Sequence, residues 1–368
     1  MNEPHAPAVV VCAGGGGVGK TTMSAALALA LARAGRRAMV VTVDPARRLA
    51  DAMGVSVGSE AQPARLDGAE DRLLALMPEP RRATRWFVEY LLAGRPEALR
   101  RLLDIRLYRV LEEAVPGVPE LVALNLIART LERHALDAVV IDTAPSRQAV
   151  DFVTYPQRLA ALLNGRAVGW LARLSQRDTE RTGGKASAGR RVASSAAARA
   201  ERLLAAVLGS ALDDVRGIFA AMSLELGRFA GVARQGSELL LGPRTRHVLV
   251  AAPTGASEED ARYIATRFAK LGIEPAVLVV NGAGTTRPAW LDRLDAAEQA
   301  SEAVREALRV LGEEQRCRAD ATEVLARGLR HAHPRIPQLH LPFVEAAEPK
   351  AIVEALAAEL EGHLRLFV

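Results

Sequence analysis

Residues 8–22 read AVVVCAGGGGVGKTT, and this stretch decides the fold. The apolar run AVVVC predicts a short buried strand, and the glycines after it predict a tight turn. Residues 20–34, KTTMSAALALALARA, predict a helix that ends at Gly35. Residues 14–21 fit the pattern G-x-x-x-x-G-K-[ST], between a strand and a helix as that pattern requires. The stretch therefore predicts a loop that binds phosphate groups.

Each part of this loop has a chemical task. Glycines let backbone N–H groups turn inward around phosphates without Cβ clashes, and the following helix offers the positive end of its dipole. Lys20 is predicted to contact the β- and γ-phosphates, and Thr21 to give its hydroxyl to Mg²⁺. The predicted nucleotide-binding residues of the loop are Gly14, Gly15, Gly16, Gly17, Val18, Gly19, Lys20, Thr21 and Thr22.

Further apolar runs alternate with helical stretches along the chain. Strands are predicted at residues 38–43, 73–77, 137–142, 246–252, 275–281 and 336–341, and helices at 257–271, 297–311 and 349–364. Such alternation is typical of a parallel sheet covered on both faces, with ligands beyond the carboxyl ends of the strands. The predicted fold class is α/β: a P-loop NTPase with a mostly parallel sheet, helices on both faces and a helical insert.

Residues 151–240 break the alternation and have a helical pattern. Within them, residues 176–200 are rich in Ser, Gly and Arg and are predicted to be disordered. Apolar residues then recur at three- and four-residue steps, which predicts one face of a long helix: Leu212, Val215, Phe219, Met222, Leu226 and Phe229. The predicted organisation is an ATPase core of residues 1–150 and 241–368, with residues 151–240 as a helical subdomain.

Composition narrows the possible functions. The chain has 368 residues and a net charge of +5, but only four lysines, so nucleic-acid binding is not expected from arginine content alone. Cys12 and Cys317 are too few for a disulfide framework or a CxxC metal site. The N-terminus has no basic leader, and no uncharged apolar stretch approaches 18 residues. A cytoplasmic protein without an integral membrane segment is expected.

Two carboxylates follow predicted strands. Asp44 ends the run VTVD, and Asp142 ends the run VVID. A single aspartate at such a place is often a helix cap. Two of them beside a phosphate loop meet the needs of nucleotide hydrolysis, since one can hold Mg²⁺ through water and the other can orient or deprotonate the attacking water.

Together these segments resemble the ArsA/Get family, which comprises arsenite-pump ATPases and the ATPases that target tail-anchored membrane proteins. The loop resembles the family's deviant Walker sequence G-K-G-G-V-G-K-T-T. DPARRLADAMG resembles its first switch, D-P-A-H-S-L-S-D, and DTAPSRQ its second, D-T-A-P-T-G-H. Residues 116–120, PGVPE, look like its P-G-x-D-E segment. The resemblance covers residues 8–360, interrupted at 151–240.

The resemblance implies a dimeric switch that binds and hydrolyses Mg²⁺·ATP. It assigns the attacking water to Asp44, the second coordination shell of Mg²⁺ to Asp142, and the transferred phosphate to Lys20. It places adenine against Asn281, Pro342 and Phe343. It also implies that the helical insert holds an apolar protein client, whereas the plainer alternative is that its apolar face only packs on the sheet or on a partner subunit.

The sequence departs from the family in its loop. The family's extra lysine, which reaches the partner subunit's phosphates, is replaced by Gly15. Gly15 is either a neutral change or the mark of a subunit that cannot donate this lysine, in which case a homodimer would hydrolyse ATP slowly. The Thr-Gly-His of the second switch is Ser146, Arg147 and Gln148 here. The arsenite cysteines are absent, so neither arsenite transport nor a shared iron–sulfur cluster is expected.

Three functions remain open. The leading one is an ArsA/Get-type switch that couples nucleotide state to a helical client or partner surface, as a homodimer or a heterodimer with a related ATPase. The second is a MinD- or ParA-like positioning ATPase, although the C-terminal apolar stripe at Ile352, Leu356, Leu360 and Leu364 lies beside Ala and Glu, a poor match to anionic lipid. The third, favoured by Gly15, is a weakly catalytic nucleotide-binding subunit of a heterodimer with a paralogue.

Overall fold

A mostly parallel sheet carries the segments quoted above. The computed structural model describes residues 7–44, 48–104, 118–145, 147–163, 225–284 and 301–368. Its strands are β1 (Ala8–Gly14), β2 (Ala38–Thr42), β3 (Gln62–Pro63), β4 (Leu73–Leu76), β5 (Ala138–Asp142), β6 (Thr245–Ala251), β7 (Val277–Ala283) and β8 (Gln338–Pro342). Their order in the sheet is β3-β4-β2-β5-β1-β6-β7-β8, and only the β3–β4 pairing is antiparallel.

Helices alternate with these strands along the described residues. They are α1 (Lys20–Arg33), α2 (Arg48–Met53), α3 (Pro80–Leu91), α4 (Pro96–Asp104), α5 (Val118–Arg133), α6 (Arg147–Leu163), α7 (Leu226–Leu241), α8 (Gly255–Lys270), α9 (Glu302–Ala332) and α10 (Pro349–Glu361), and a 3-10 turn, Leu364–Leu366, follows α10. The predicted α/β class is therefore confirmed.

The register of the central strands brings the quoted motifs together. Asp142 at the end of β5 lies opposite Cys12 of β1 and opposite Thr42 of β2. On the other side of β1, Gly14 lies opposite Val250 of β6. Because parallel strands end at the same edge, the phosphate loop and the segments after β2 and β5 meet there.

Both faces of the sheet are buried. Along a strand, successive side chains point to opposite faces, and Val9, Val10, Val11 and Cys12 of β1 are all buried. Val10 and Cys12 belong to the core cluster that α1 and α10 complete. Helix α8 contacts β6 and helix α9 contacts β7. These two helices bury side chains such as Phe268 and Leu329. Cys12 thus lies in the core, as its apolar context suggests.

The structure corrects several predicted boundaries. Helix α9 extends to Ala332, well beyond the predicted end at residue 311, and residues 297–300 lie outside the described part. No proline occurs between Glu302 and Pro334, and ion pairs four residues apart, such as Arg309–Glu313, support the exposed face of the helix. Helix α10 ends at Glu361 rather than 364. The two-residue strand β3 was not predicted, because it is too short to show alternation.

A second compact unit consists of Glu79–Ala128 and Thr154–Glu238, apart from the sheet-bearing unit of Met1–Pro78, Arg129–Val153 and Leu239–Val368. It is wider than the predicted helical subdomain, since it includes α3 and α4. Its apolar cluster explains this: Phe87 of α3 packs against Phe229 of α7 with ring centroids 5.9 Å apart. The predicted disordered stretch 176–200 and the apolar positions from Leu212 to Met222 lie outside the described residues.

None of the helices in the described ranges combines the length and apolar character that crossing a membrane requires.

Candidate functional site

The predicted phosphate loop lies between β1 and α1. Gly19, just before the helix, has φ 82°, in the left-handed region that favours glycine. A Cβ at Gly19 would lie 2.2 Å from Nδ2 of Asn281, so the position also has no room for a side chain. Both observations explain why a glycine precedes Lys20 in the sequence pattern.

Lys20 begins α1, and its side chain turns back over the loop. The residue is 7% exposed, and its Nζ donates a hydrogen bond of 2.5 Å to the carbonyl of Gly15. Burial lowers the pKa of this ammonium, while the charges of Asp142 and Asp44 oppose that shift. The loop therefore holds a lysine whose charge is compensated only by neighbouring carboxylates and a carbonyl.

Asp142 is the most buried charged group of the site. Its Oδ2 accepts hydrogen bonds from the hydroxyls of Thr21, at 2.7 Å, and Thr42, at 2.9 Å. Its Oδ1 is buried and has no hydrogen-bond partner among the described residues. Burial raises the pKa of Asp142 from 3.8 to about 6, although both threonine hydroxyls and the Lys20 charge act in the opposite direction.

Thr42 is a member of the site that the sequence analysis missed. Its hydroxyl donates to Asp142 and accepts a 3.2 Å hydrogen bond from the backbone N–H of Asp44. Thr42 is buried at the end of β2. A polar residue in the last position of an apolar strand, two before Asp44, was the signal that could have identified it.

Asp44 lies at the same edge, two residues beyond the end of β2. Its side chain is 14% exposed, and its Oδ2 lies 3.4 Å from Nη1 of Arg48. The intervening residues 45–47 lie outside the described part. The structure thus brings together Lys20, Thr21, Asp44 and Asp142, and their roles toward a nucleotide stay predictions.

The three residues predicted to hold adenine occupy the ends of β7 and β8. Asn281 donates from Nδ2 to the carbonyl of Val18, 2.9 Å away, so its amide contacts the phosphate loop. Pro342 ends β8, and the ring of Phe343 is 48% exposed with the guanidinium carbon of Arg318 3.6 Å from its centroid. Their role toward adenine stays a prediction.

The oxygen donors at Thr21 and Asp142 fit a magnesium ion. Mg²⁺ prefers hydroxyl, carboxylate and water oxygens, and it keeps several of its waters. The unpartnered Oδ1 of Asp142 is a buried acceptor that one such water could satisfy. Thr21 would supply the direct hydroxyl contact, and Asp142 would hold the ion through water.

We expect Thr42→Val to lower the free energy of unfolding by about 1–2 kcal/mol, because the change leaves the Asp44 N–H without its acceptor and removes one donor to Asp142. Thr42→Ser keeps the hydroxyl and should recover most of the loss. The measurement is denaturant unfolding without nucleotide. Thr266→Val, on the exposed face of α8, is the matched control, and an equal loss in both valine variants would contradict the role of Thr42.

Asp142→Asn should make the ligand-free protein more stable at pH 8. Since folding raises the pKa of Asp142 to about 6, the folded state binds more protons than the unfolded state between the two pKa values. The protonated carboxyl group of Asp142 therefore stabilises the folded state relative to the ionised one. This stabilisation is complete below the pKa of the unfolded state and is lost as pH rises through 6. The asparagine variant should gain about 3 kcal/mol over the parent at pH 8, and little at pH 4.

Denaturant unfolding in EDTA at both pH values measures this difference. Asp320→Asn removes an exposed carboxylate and serves as the control. If Asp142→Asn raised the free energy of unfolding equally at both pH values, burial of the charged carboxylate would not be the cause of the gain.

A buried lysine on a glycine-rich loop between strand and helix, with aspartates after two neighbouring strands, defines the P-loop class of nucleotide-binding proteins. Residues 8–206, more than half of the chain, match the family described as anion-transporting ATPase. This protein belongs to that ATPase family, and the predicted ArsA/Get membership is confirmed.

Several curated relatives match part of the chain. ATPase GET3 of Ajellomyces dermatitidis is 30% identical over 169 residues, which are 45% of this chain and 46% of the relative. ATPase GET3 of Malassezia globosa is 31% identical over 154 residues, 42% and 44% of the two chains. ATPase get3 of Schizosaccharomyces japonicus is 29% identical over 150 residues, which are 41% of this chain and 44% of the relative. The chain thus matches about half the length of these relatives.

Proposed function

We propose that this protein is a Mg²⁺-dependent ATPase that acts as a dimeric switch. The observation that carries the proposal is the meeting of loop and switch residues at one sheet edge. Thr21 and Asp142, which are 121 positions apart, share a 2.7 Å hydrogen bond, and Lys20 lies buried beside them. Membership of an ATPase family supports the same reading.

Each site residue would have its own role in ATP binding or hydrolysis. Lys20 would neutralise charge on the β- and γ-phosphates, and the backbone N–H groups of residues 14–19 would surround them. Bound Mg²⁺ would offset the charge on the phosphate oxygens; Thr21 and Asp142 are the residues to hold it. Asp44, the less buried carboxylate, would orient the attacking water or accept its proton.

The hydrogen bonds suggest how the site senses its ligand. Oδ2 of Asp142 has one donor from the loop, Thr21, and one from the strand that leads to Asp44, Thr42. A change at the Thr21 hydroxyl therefore reaches the backbone of Asp44 through two further hydrogen bonds. This connection supports a switch in which the first segment after β2 responds to what the loop holds.

The partner and the client are inferred less directly. The resemblance of the loop and switch segments to the ArsA/Get family implies a dimer that couples nucleotide state to an apolar protein client, and the relatives named ATPase GET3 support the ATPase activity. Phe229, one of the apolar positions predicted for the helical insert, is 6% exposed and packs within its own unit. Any client groove would thus be formed by side chains other than Phe229.

A second candidate is a nucleotide-binding subunit with weak activity of its own, paired with a paralogue. Gly15 favours it, because this loop carries no lysine at that position. The burial of the C-terminal stripe argues further against the MinD- or ParA-like alternative. Leu356 and Leu360 of the C-terminal stripe are buried in the core cluster with α1, so they are not available to a membrane.

ATP hydrolysis by the purified protein, with Mg²⁺ and with EDTA, tests the proposal. Turnover that requires Mg²⁺ and rises more than linearly with protein concentration would support a dimeric ATPase. ATP binding with turnover only after addition of a paralogue would favour the weakly catalytic subunit. Failure to bind ATP under any of these conditions would refute both.

A further inference from the structure

Asp260 of α8 lies against the loop at Gly15. A Cβ placed on Gly15 would lie 2.4 Å from Oδ2 of Asp260 and 3.1 Å from its Cβ. At the neighbouring Gly16, nothing lies within 4 Å of such an atom. The Asp260 side chain thus fills the space that a side chain at position 15 would need.

The fold fixes Asp260 in this place. Its helix starts directly after β6, and β6 pairs with β1 where Val250 lies opposite Gly14. The hydroxyl of Thr254, the N-cap residue, accepts a hydrogen bond from Ser257 N, and the Ser257 hydroxyl accepts one from Ala252 N. These contacts hold the first turn of α8 to the strand end and thereby fix the backbone position of Asp260.

The carboxylate also adds negative charge to the phosphate loop. The Gly15 carbonyl beside it is the acceptor that holds the Lys20 ammonium. The negative charge of Asp260 lies near that ammonium, whose other charged neighbours are Asp142, Asp44 and Arg48. The charge of Asp260 therefore contributes to the electrostatic potential at the place where the phosphates would bind.

We propose that Asp260 is a specificity-determining residue of this loop: it keeps position 15 without a side chain and weakens nucleotide binding in proportion to the nucleotide's negative charge. The inference rests on the proposed function, since it concerns nucleotides on the same loop. A fixed carboxylate repels ATP more than ADP, because ATP carries an additional phosphate and more charge. Asp260 thus reduces the preference of the loop for ATP over ADP.

Dissociation constants of ATP and ADP, measured by calorimetry in EDTA, test the electrostatic part. Asp260→Asn keeps the shape and removes the charge, and it should bind ATP roughly tenfold tighter and ADP by a smaller factor. The gain should shrink in high salt. Glu259→Gln removes the exposed neighbouring carboxylate of the same helix and should change either constant less than about twofold.

Two results separate the inference from the proposed function. If the parent binds ATP but Asp260→Asn behaves like Glu259→Gln, or binds more weakly, the inference is wrong and the proposed function stands. If neither the parent nor the variant binds ATP or ADP, in EDTA or with Mg²⁺, the proposed function fails, and the electrostatic claim fails with it.

Thermal unfolding without ligand tests the steric part independently. Gly15→Ala should lower the unfolding midpoint by several degrees, whereas Gly16→Ala, at the open position, should change it little. In a protein that already carries Asp260→Ala, Gly15→Ala should lower the unfolding midpoint clearly less than it does in the parent. Such a difference would show that the two positions are coupled. Equal costs in both backgrounds would overturn the claim that Asp260 excludes a side chain there.

Discussion

Asp44→Asn is expected to leave Mg²⁺·ATP bound and to reduce its hydrolysis by roughly a thousandfold, the contribution that a positioned acid–base group typically makes. The amide is close in shape to the carboxylate but cannot accept the proton of the attacking water. The backbone N–H of Asp44, which donates to Thr42, is unchanged by the substitution. The link to Asp142 should therefore survive, and the loss should fall on turnover rather than on affinity.

Single-turnover hydrolysis and ATP affinity, measured on the same preparation, separate the two effects. Asp51→Asn is the matched control, since Asp51 is an exposed carboxylate of α2 in the same segment. It should retain the parent rate. An Asp44→Asn protein that hydrolysed ATP as fast as the parent would remove Asp44 from the chemistry and leave Asp142 as the candidate base.

Lys20→Ala is expected to weaken ATP binding at least tenfold, a loss of about 1.4 kcal/mol or more. The ammonium is buried at the loop, where its interaction with phosphate is weakly screened by solvent. ATP should lose more affinity than ADP, because the lysine is placed for the β- and γ-phosphates.

A fluorescent ATP analogue provides the measurement. Lys270→Ala, at the exposed end of α8, removes the same charge away from the loop and should bind like the parent. Unchanged affinity in Lys20→Ala would contradict the phosphate-loop assignment itself.

The parts of the site that the sequence predicted are those with a local pattern. Lys20 and Thr21 follow from the loop motif, and Asp44 and Asp142 follow from polar residues at the ends of apolar strands. The parallel order of strands then requires them to meet, which the register of Asp142 with Thr42 shows. The fold class was predictable for the same reason, because alternation of strand and helix is visible along the chain.

The parts that were missed depend on contacts between distant segments. Thr42 looks like one more strand residue until its hydroxyl is seen on Asp142. Asp260 lies 245 positions after Gly15, and no motif marks it. The hydrogen bond from the Asn281 amide to the Val18 carbonyl of the loop was likewise not visible in the sequence, while the predicted contact of Asn281 with adenine stays a prediction. The length of α9 was underestimated because the charged run 312–320, GEEQRCRAD, separates the predicted part of the helix from the buried residues Leu325 and Leu329.

The contact between Asp260 and Gly15 limits which substitutions the loop can accept at position 15. A lysine introduced at position 15 of the present chain would meet the Asp260 side chain at its first carbon, and its ammonium would pair with a carboxylate of its own subunit. A change at Asp260 would meet no such obstacle, since it opens space. A lysine at position 15 would therefore call for a second change at position 260, and a chain that keeps Asp260 has a reason to keep glycine at position 15.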